Sequence, residues 1–188
     1  MRRTMSDDQM AARRAKVLVA ARWCFLNFGF GKTSFDDIAK RADLSRTLLY
    51  RLFENKEAIY RAVFADWMLS RQPEAMARAT GPGSRYERLL RVCELIVVEP
   101  WSEMVSAPVG DEFFDICERI DPESEALYRR VMIKCVDAVL DDAPSSQVFL
   151  LALDGLLGDR PSIDDLQKRI KVLSARFAVP ASKKGAGR

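Results

Sequence analysis

Histidine is absent from the 188 residues. That removes Ser-His-Asp and Cys-His catalysis, imidazole acid–base chemistry and every His-containing zinc site from within one chain. Cysteine is scarce: Cys24, Cys93, Cys117 and Cys135 stand far apart, with no CxxC pair for zinc, an iron–sulfur cluster or a thioredoxin-like centre. Each lies in an apolar helical context, which predicts small core residues, and the lack of a disulfide framework points to a reducing compartment. No apolar run reaches the roughly 18–20 residues that cross a bilayer, so no membrane partner is expected. The opening stretch is basic and then acidic with no apolar h-region; a cleaved signal peptide is not expected, and the expected location is cytoplasmic. Gly-rich phosphate loops, strand alternation and internal repeats are missing too. With no nucleophile–base pair, metal cluster or cofactor loop, the chain reads as a non-enzyme with no cofactor.

What is present suits a folded protein: 48 % hydrophobic and 30 % charged residues can bury a core and do not read as disorder. Charge is unevenly placed. Residues 1–61 carry 13 Lys+Arg against 7 Asp+Glu, and the remainder carries 17 against 20. A basic first third on a mildly acidic body is the asymmetry expected when one end meets a polyanion.

The apolar period is helical throughout, and the fold class is all-α. Val17, Ala21, Cys24, Phe25 and Phe28 form one stripe on a first helix, with Ser6 and Gln9 as a capping box and Gly29 and Gly31 as its stop. A short helix is predicted over 34–42, with Thr33 or Ser34 as N-cap and Asp36 and Asp37 in its first turn, where carboxylates suit the helix dipole. Ser45 caps another over 46–53. From Lys56 a long helix is expected to run to about Thr80, kinked or broken at Pro73. Gly81-Pro82-Gly83 is a hinge, and Ser84 with Glu87 opens a helix expected to end at Pro100. A break at Pro108 follows. Further helices are predicted at about 111–119, 122–141 (Asp121 as N-cap), 145–158 and 162–178, with a disordered tail from Pro180. Two domains are expected, 1–56 and 57–188.

Residues 34–53 form two short helices joined by Ala42-Asp43-Leu44-Ser45. Ile38, Ala39, Leu44, Leu49 and Leu52 are placed to hold them together, and Asp43 occupies the turn position that favours a left-handed backbone. This is a helix-turn-helix pattern, whose second helix enters a DNA major groove. Thr33-Ser34-Phe35-Asp36-Asp37-Ile38-Ala39, then Leu44 to Phe53, then Asn55-Lys56-Glu57, resemble the DNA-binding domain of TetR-family transcriptional regulators. The likeness covers roughly residues 15–65, including Ala20, Ala21, Phe25 and Gly29. It departs at Asp43, where the family usually has glycine, and at Leu52, where an aromatic residue or histidine is common.

The resemblance implies roles that the chemistry supports. Thr33 or Ser34, with free amides of the second helix, would bind a phosphate. Ser45 opens the recognition helix. Arg46 would take guanine bidentately, and Thr47 or Leu48 would touch a thymine methyl. Tyr50 and Lys56 match positions that hold the DNA backbone, and Arg51 suits either purpose. The implied partner is a pseudo-palindromic double-stranded operator.

Beyond residue 65 the physical pattern carries the reading. Ile163, Leu166, Ile170, Leu173 and Phe177 are spaced 3, 4, 3, 4, as in an a/d seam. The preceding segment, with Phe149, Ala152, Leu153 and Leu156, is apolar almost all round and should be buried on several sides. Two such helices meeting their copies would form a four-helix dimer interface, an arrangement the resemblance also implies; lining a monomer core is the alternative. Trp67, Met68, Trp101, Met104, Phe113, Phe114, Tyr128 and Met132 form an aromatic and methionine-rich set. The family likeness makes it the pocket of a small-molecule effector, apolar or amphipathic in character, whose binding releases the operator; a plain apolar core explains the same residues. The expected function is that of a homodimeric transcriptional regulator, a repressor by family analogy. The other reading is a TetR-like protein acting through a protein partner.

Overall fold

Asp7 and Asp8 sit in the first turn of helix α1, Asp7–Phe28, in the computed structural model, which describes residues 7–110, 112, 113, 116 and 122–179. α1 stops because the backbone turns left-handed at Gly29, φ 83°. The Gly29 carbonyl then accepts both the Thr33 amide (3.1 Å) and the Thr33 hydroxyl (2.7 Å), closing the turn into α2. Helices α2 (Phe35–Arg41), α3 (Arg46–Leu52) and α4 (Lys56–Leu69) follow, each opened by a side-chain N-cap: Ser34, Ser45 and Asn55. Such caps satisfy amides that have no partner inside the helix. Among the described residues every regular element is helical.

The chain divides into two compact units. The first comprises Met1–Ser70 with Glu103–Leu127. Its core joins Val17, Ala21, Cys24 and Phe25 of α1 to Ile38 of α2, Leu49 of α3, and Ile59, Tyr60, Val63 and Trp67 of α4, all essentially inaccessible. The later segment closes on this core: the Val109 amide bonds to the Leu26 carbonyl (3.2 Å), Tyr60 Oη donates to the Phe113 carbonyl, and Phe113 meets both the Tyr60 and Trp67 rings.

The second unit comprises Arg71–Ser102 with Tyr128–Arg188. It contains α5 (Gln72–Thr80), α6 (Arg85–Cys93), a π turn over Glu94–Val98, most of α8 (Pro122–Leu140), α9 (Ala143–Gly155) and α10 (Ile163–Phe177). α7 (Glu99–Val105) begins in this unit. α6 packs on α5 and α10, and α10 packs on α9. Trp101 Nε1 donates to the Pro161 carbonyl (3.0 Å), and Arg169 grips Asp159 with both Nη atoms (2.5 and 2.7 Å), fixing the loop between α9 and α10.

The break expected at Pro73 is present, and one expected boundary moves. The long helix from Lys56 ends at Leu69, before Pro73, because a proline ring collides with the carbonyl four residues earlier, which here is Leu69; Pro73 falls in the first turn of α5, where no amide is needed. Pro100 does not end its helix. The π turn just before it bonds the Glu99 amide to the Glu94 carbonyl, and Pro100 becomes the second residue of α7. Ser6, Asp121, Cys117 and the tail from Pro180 lie outside the described residues, as does most of the segment expected as a helix at 111–119. Cys24, Cys93 and Cys135 are buried free thiols.

Candidate nucleic-acid interface

Ser34 and Asp37 form a reciprocal capping box at the start of α2. Asp37 Oδ2 accepts from the Ser34 amide (2.8 Å) and hydroxyl (2.6 Å), and Ser34 Oγ accepts from the Asp37 amide (3.2 Å). These bonds hold the Asp37 carboxyl below its ordinary pKa. At the other end Asp43 takes φ 54°, reversing the chain so that the Leu44 amide reaches the Ala39 carbonyl (3.0 Å). Ser45 Oγ accepts from the Leu48 amide (3.2 Å) and starts α3. The two helices are thus locked by local bonds at three points.

Seven residues cannot present every side chain outward. Leu48 and Leu49 turn into the core, at 7 % and 0 % exposure, while Arg46, Thr47, Tyr50 and Arg51 form the exposed face of α3. Leu48 therefore leaves the expected set of base-contacting residues, since burial is what fixes α3 on its neighbours. Thr33 leaves the expected phosphate contacts for a similar reason: it is 2 % exposed, and its hydroxyl bonds to the Gly29 and Cys24 carbonyls. Ser34 and Ser45 are exposed.

Lys56 is half-buried. Its ammonium donates to the Phe30 carbonyl (2.6 Å) and the Thr33 carbonyl (2.9 Å), and lies 4.4 Å from the centre of the Phe30 ring. Arg46 bridges to Asp36 of α2 through Nη1 (2.9 Å) and to Tyr50 Oη through Nη2 (3.2 Å). Tyr50 stacks on Phe35 at 4.5 Å and 16°. Asp36 and Phe35 hold the exposed face of α3 in place, yet the sequence marked Asp36 only as a helix-start acid. Arg14 of α1 was missed as well: Nη1 caps the Leu52 carbonyl at the end of α3 (3.2 Å), and its guanidinium covers the Phe53 ring. A cation at a helix C-terminus complements the dipole. No sequence spacing connects residues 14 and 52. Between α1 and the end of α2 a shallow groove of about 680 Å³ is lined by Ala12, Ala15, Lys16, Val19, Ala20, Arg41 and Ala42.

The residues expected around an effector fall in both units. Trp67, Met68, Met104 and Phe113 are buried in the first, and Trp101 and Met132 in the second; Phe114 lies outside the described residues. In the second unit Tyr128 is half-buried, and burial of its phenol together with the nearby Asp154 carboxylate raises its pKa. Of the residues expected at a dimer interface, Phe149, Leu153, Leu166 and Ile170 are buried within the chain itself. Ala152, Leu156, Ile163, Leu173 and Phe177 remain partly exposed. Val148, Leu151 and Val172, which the seam did not include, are more than half exposed.

Among the described residues no group of His, Cys, Asp or Glu is placed to hold a metal ion, and no helix is long and apolar enough to cross a membrane. Residues 17–63 match the family of bacterial regulatory proteins described as the tetR family. Over 90 % of its length the chain is 29 % identical to the HTH-type transcriptional repressor Rv1474c of Mycobacterium tuberculosis, of which the match covers 93 %. The fold is similar to a TetR-like transcriptional regulator from Rhodococcus sp. RHA1, with a TM-score of 0.61, 24 % identity and coverage of 93 % of this chain and 97 % of that one. It is also similar to SmeT in its complex with triclosan, with a TM-score of 0.58, 17 % identity and coverage of 88 % and 90 %.

Proposed function

We infer that this chain, a transcriptional regulator of the TetR family, is a repressor that binds a pseudo-palindromic operator as a homodimer and leaves it when a small molecule binds. The observation that carries the reading is the exposed face of α3. Arg46, Thr47, Tyr50 and Arg51 project from a helix fixed by Leu48 and Leu49 in the core and by caps at both ends. Residues 1–56 serve as the DNA-binding domain and 57–188 as the effector-binding and dimerisation domain. The effector is apolar or amphipathic, in keeping with the aromatic and methionine residues expected to meet it; the likeness to a fold that holds triclosan supports this. Dimerisation follows from DNA recognition, since two recognition helices about 34–36 Å apart, or a multiple of that, read two half-sites.

Selection of bound duplexes from random sequence tests the reading. The wild-type chain selects a two-fold motif, and Arg46→Ala relaxes preference at one or two base pairs per half-site by roughly 1–3 kcal/mol. An unchanged motif with Arg46→Ala removes Arg46 from base reading. A chain that selects no motif acts instead through a protein partner.

A further inference from the structure

Four side chains of α2 and α3, Phe35 half-buried and Asp36, Arg46 and Tyr50 exposed, are joined to one another. Phe35 stacks on Tyr50, and the adjacent Asp36 pairs with Arg46, one helical turn away from Tyr50 on α3. Arg46 and Tyr50 are themselves bonded, with the guanidinium carbon 5.5 Å from the ring centre. Two neighbouring residues of α2 thus hold positions i and i+4 of α3. Exposed ion pairs contribute little to stability. Asp36 and Arg46 are 61 % and 59 % exposed, so packing does not account for a carboxylate on a face that meets phosphates.

We propose that Asp36 is a specificity-determining residue, which neutralises Arg46 toward phosphates while leaving its donors free for a base edge. The inference rests on the operator-binding reading above. A guanidinium carries five N–H donors, of which Arg46 uses one on Asp36 and one on Tyr50, leaving three. Phosphate attraction depends on net charge, and the Asp36–Arg46 pair has none. Guanine O6 and N7 are uncharged acceptors that require donors in the right plane, which the paired guanidinium still supplies. The pair therefore lowers non-specific binding more than specific binding. Phe35 keeps Tyr50, and through it the second guanidinium nitrogen, in place.

The test uses the full chain, the selected operator and a scrambled duplex of equal length, titrated by fluorescence anisotropy across a salt series. Asp36→Asn tightens binding to the scrambled duplex by about threefold at low salt and steepens its salt slope by about one unit. Operator affinity rises less, so the specificity ratio falls, and Asp36→Glu restores it. In an Arg46→Ala background Asp36→Asn moves neither slope nor ratio. An unchanged ratio in the single variant overturns the proposal. So does an equal effect in the Arg46→Ala background, which makes Asp36 a lone repulsive charge. Failure of the underlying reading looks different: the wild-type chain then does not distinguish operator from scrambled duplex.

Discussion

Lys56 gives its ammonium to the protein first. Two of its three donors are spent on the Phe30 and Thr33 carbonyls, which ties the start of α4 to the turn between α1 and α2. Hydrogen bonds from a charged donor contribute about 1.5–3 kcal/mol when sheltered, and this one is half-exposed. Lys56→Met should therefore lower stability by about 1–2 kcal/mol in urea unfolding, and operator affinity should fall with it. A variant that loses operator affinity at full stability would place Lys56 on phosphate alone. The thiols show the same priority of structure over chemistry. Burial pushes Cys93 up to about 12 and Cys24 and Cys135 up to about 11, so all three stay protonated at neutral pH, as small core residues do.

At the scale of elements, short helices depend on their ends. α2 and α3 have seven residues each, too few to be stable alone, and caps at Ser34, Asp43 and Ser45 with Arg14 at the far end compensate. Asp43 is the weakest of these joints, because a left-handed backbone costs a side chain more than it costs glycine. Asp43→Gly should raise the urea midpoint by about 0.5 kcal/mol equivalent without changing the m-value, offset in part by the freer unfolded chain. A lowered midpoint would mean that the Asp43 carboxylate contributes more than its backbone costs. The two prolines make the opposite point: Pro73 breaks a helix just upstream of itself and Pro100 does not, because only the second is preceded by a π turn.

For the whole molecule the apolar faces of α9 and α10 govern assembly. An a/d seam and a hydrophobic helix are satisfied equally by an internal core and by a second chain, and the fold uses part of each internally: Phe149 meets Phe177 at 5.3 Å, and Leu153, Leu166 and Ile170 are buried. The most exposed large apolar side chains on α9 and α10 are Val148, Leu151 and Val172, beside the partly exposed Leu156, Ile163, Leu173 and Phe177. Leu151 also lines a groove of about 350 Å³ with Arg129, Arg130, Ile133, Gln147 and Leu150. Sedimentation of Leu151→Arg should show dissociation to monomer at micromolar concentration, with operator binding weakened because a single head docks on one half-site. A Leu151→Arg chain that stays dimeric would move the interface to another face.

The helix-turn-helix was legible because its signals are local. N-caps at Ser34, Ser45 and Asn55, the turn at Asp43 and the apolar period through Val17, Ala21 and Phe25 each act within a few residues, and the chain folds as they direct. The side-chain environments of the candidate site were not local. Leu48 occupies a position that sequence pattern alone allows to face DNA, and only packing turned it inward, while Thr33 is drawn in by its bonds to the Gly29 and Cys24 carbonyls. Arg14 met Leu52 across 38 residues, and Asp36 met Arg46 across a helix crossing. Sequence spacing fixes which residues share a face of one helix; which face is buried, and which distant charge lies against it, is decided when helices pack.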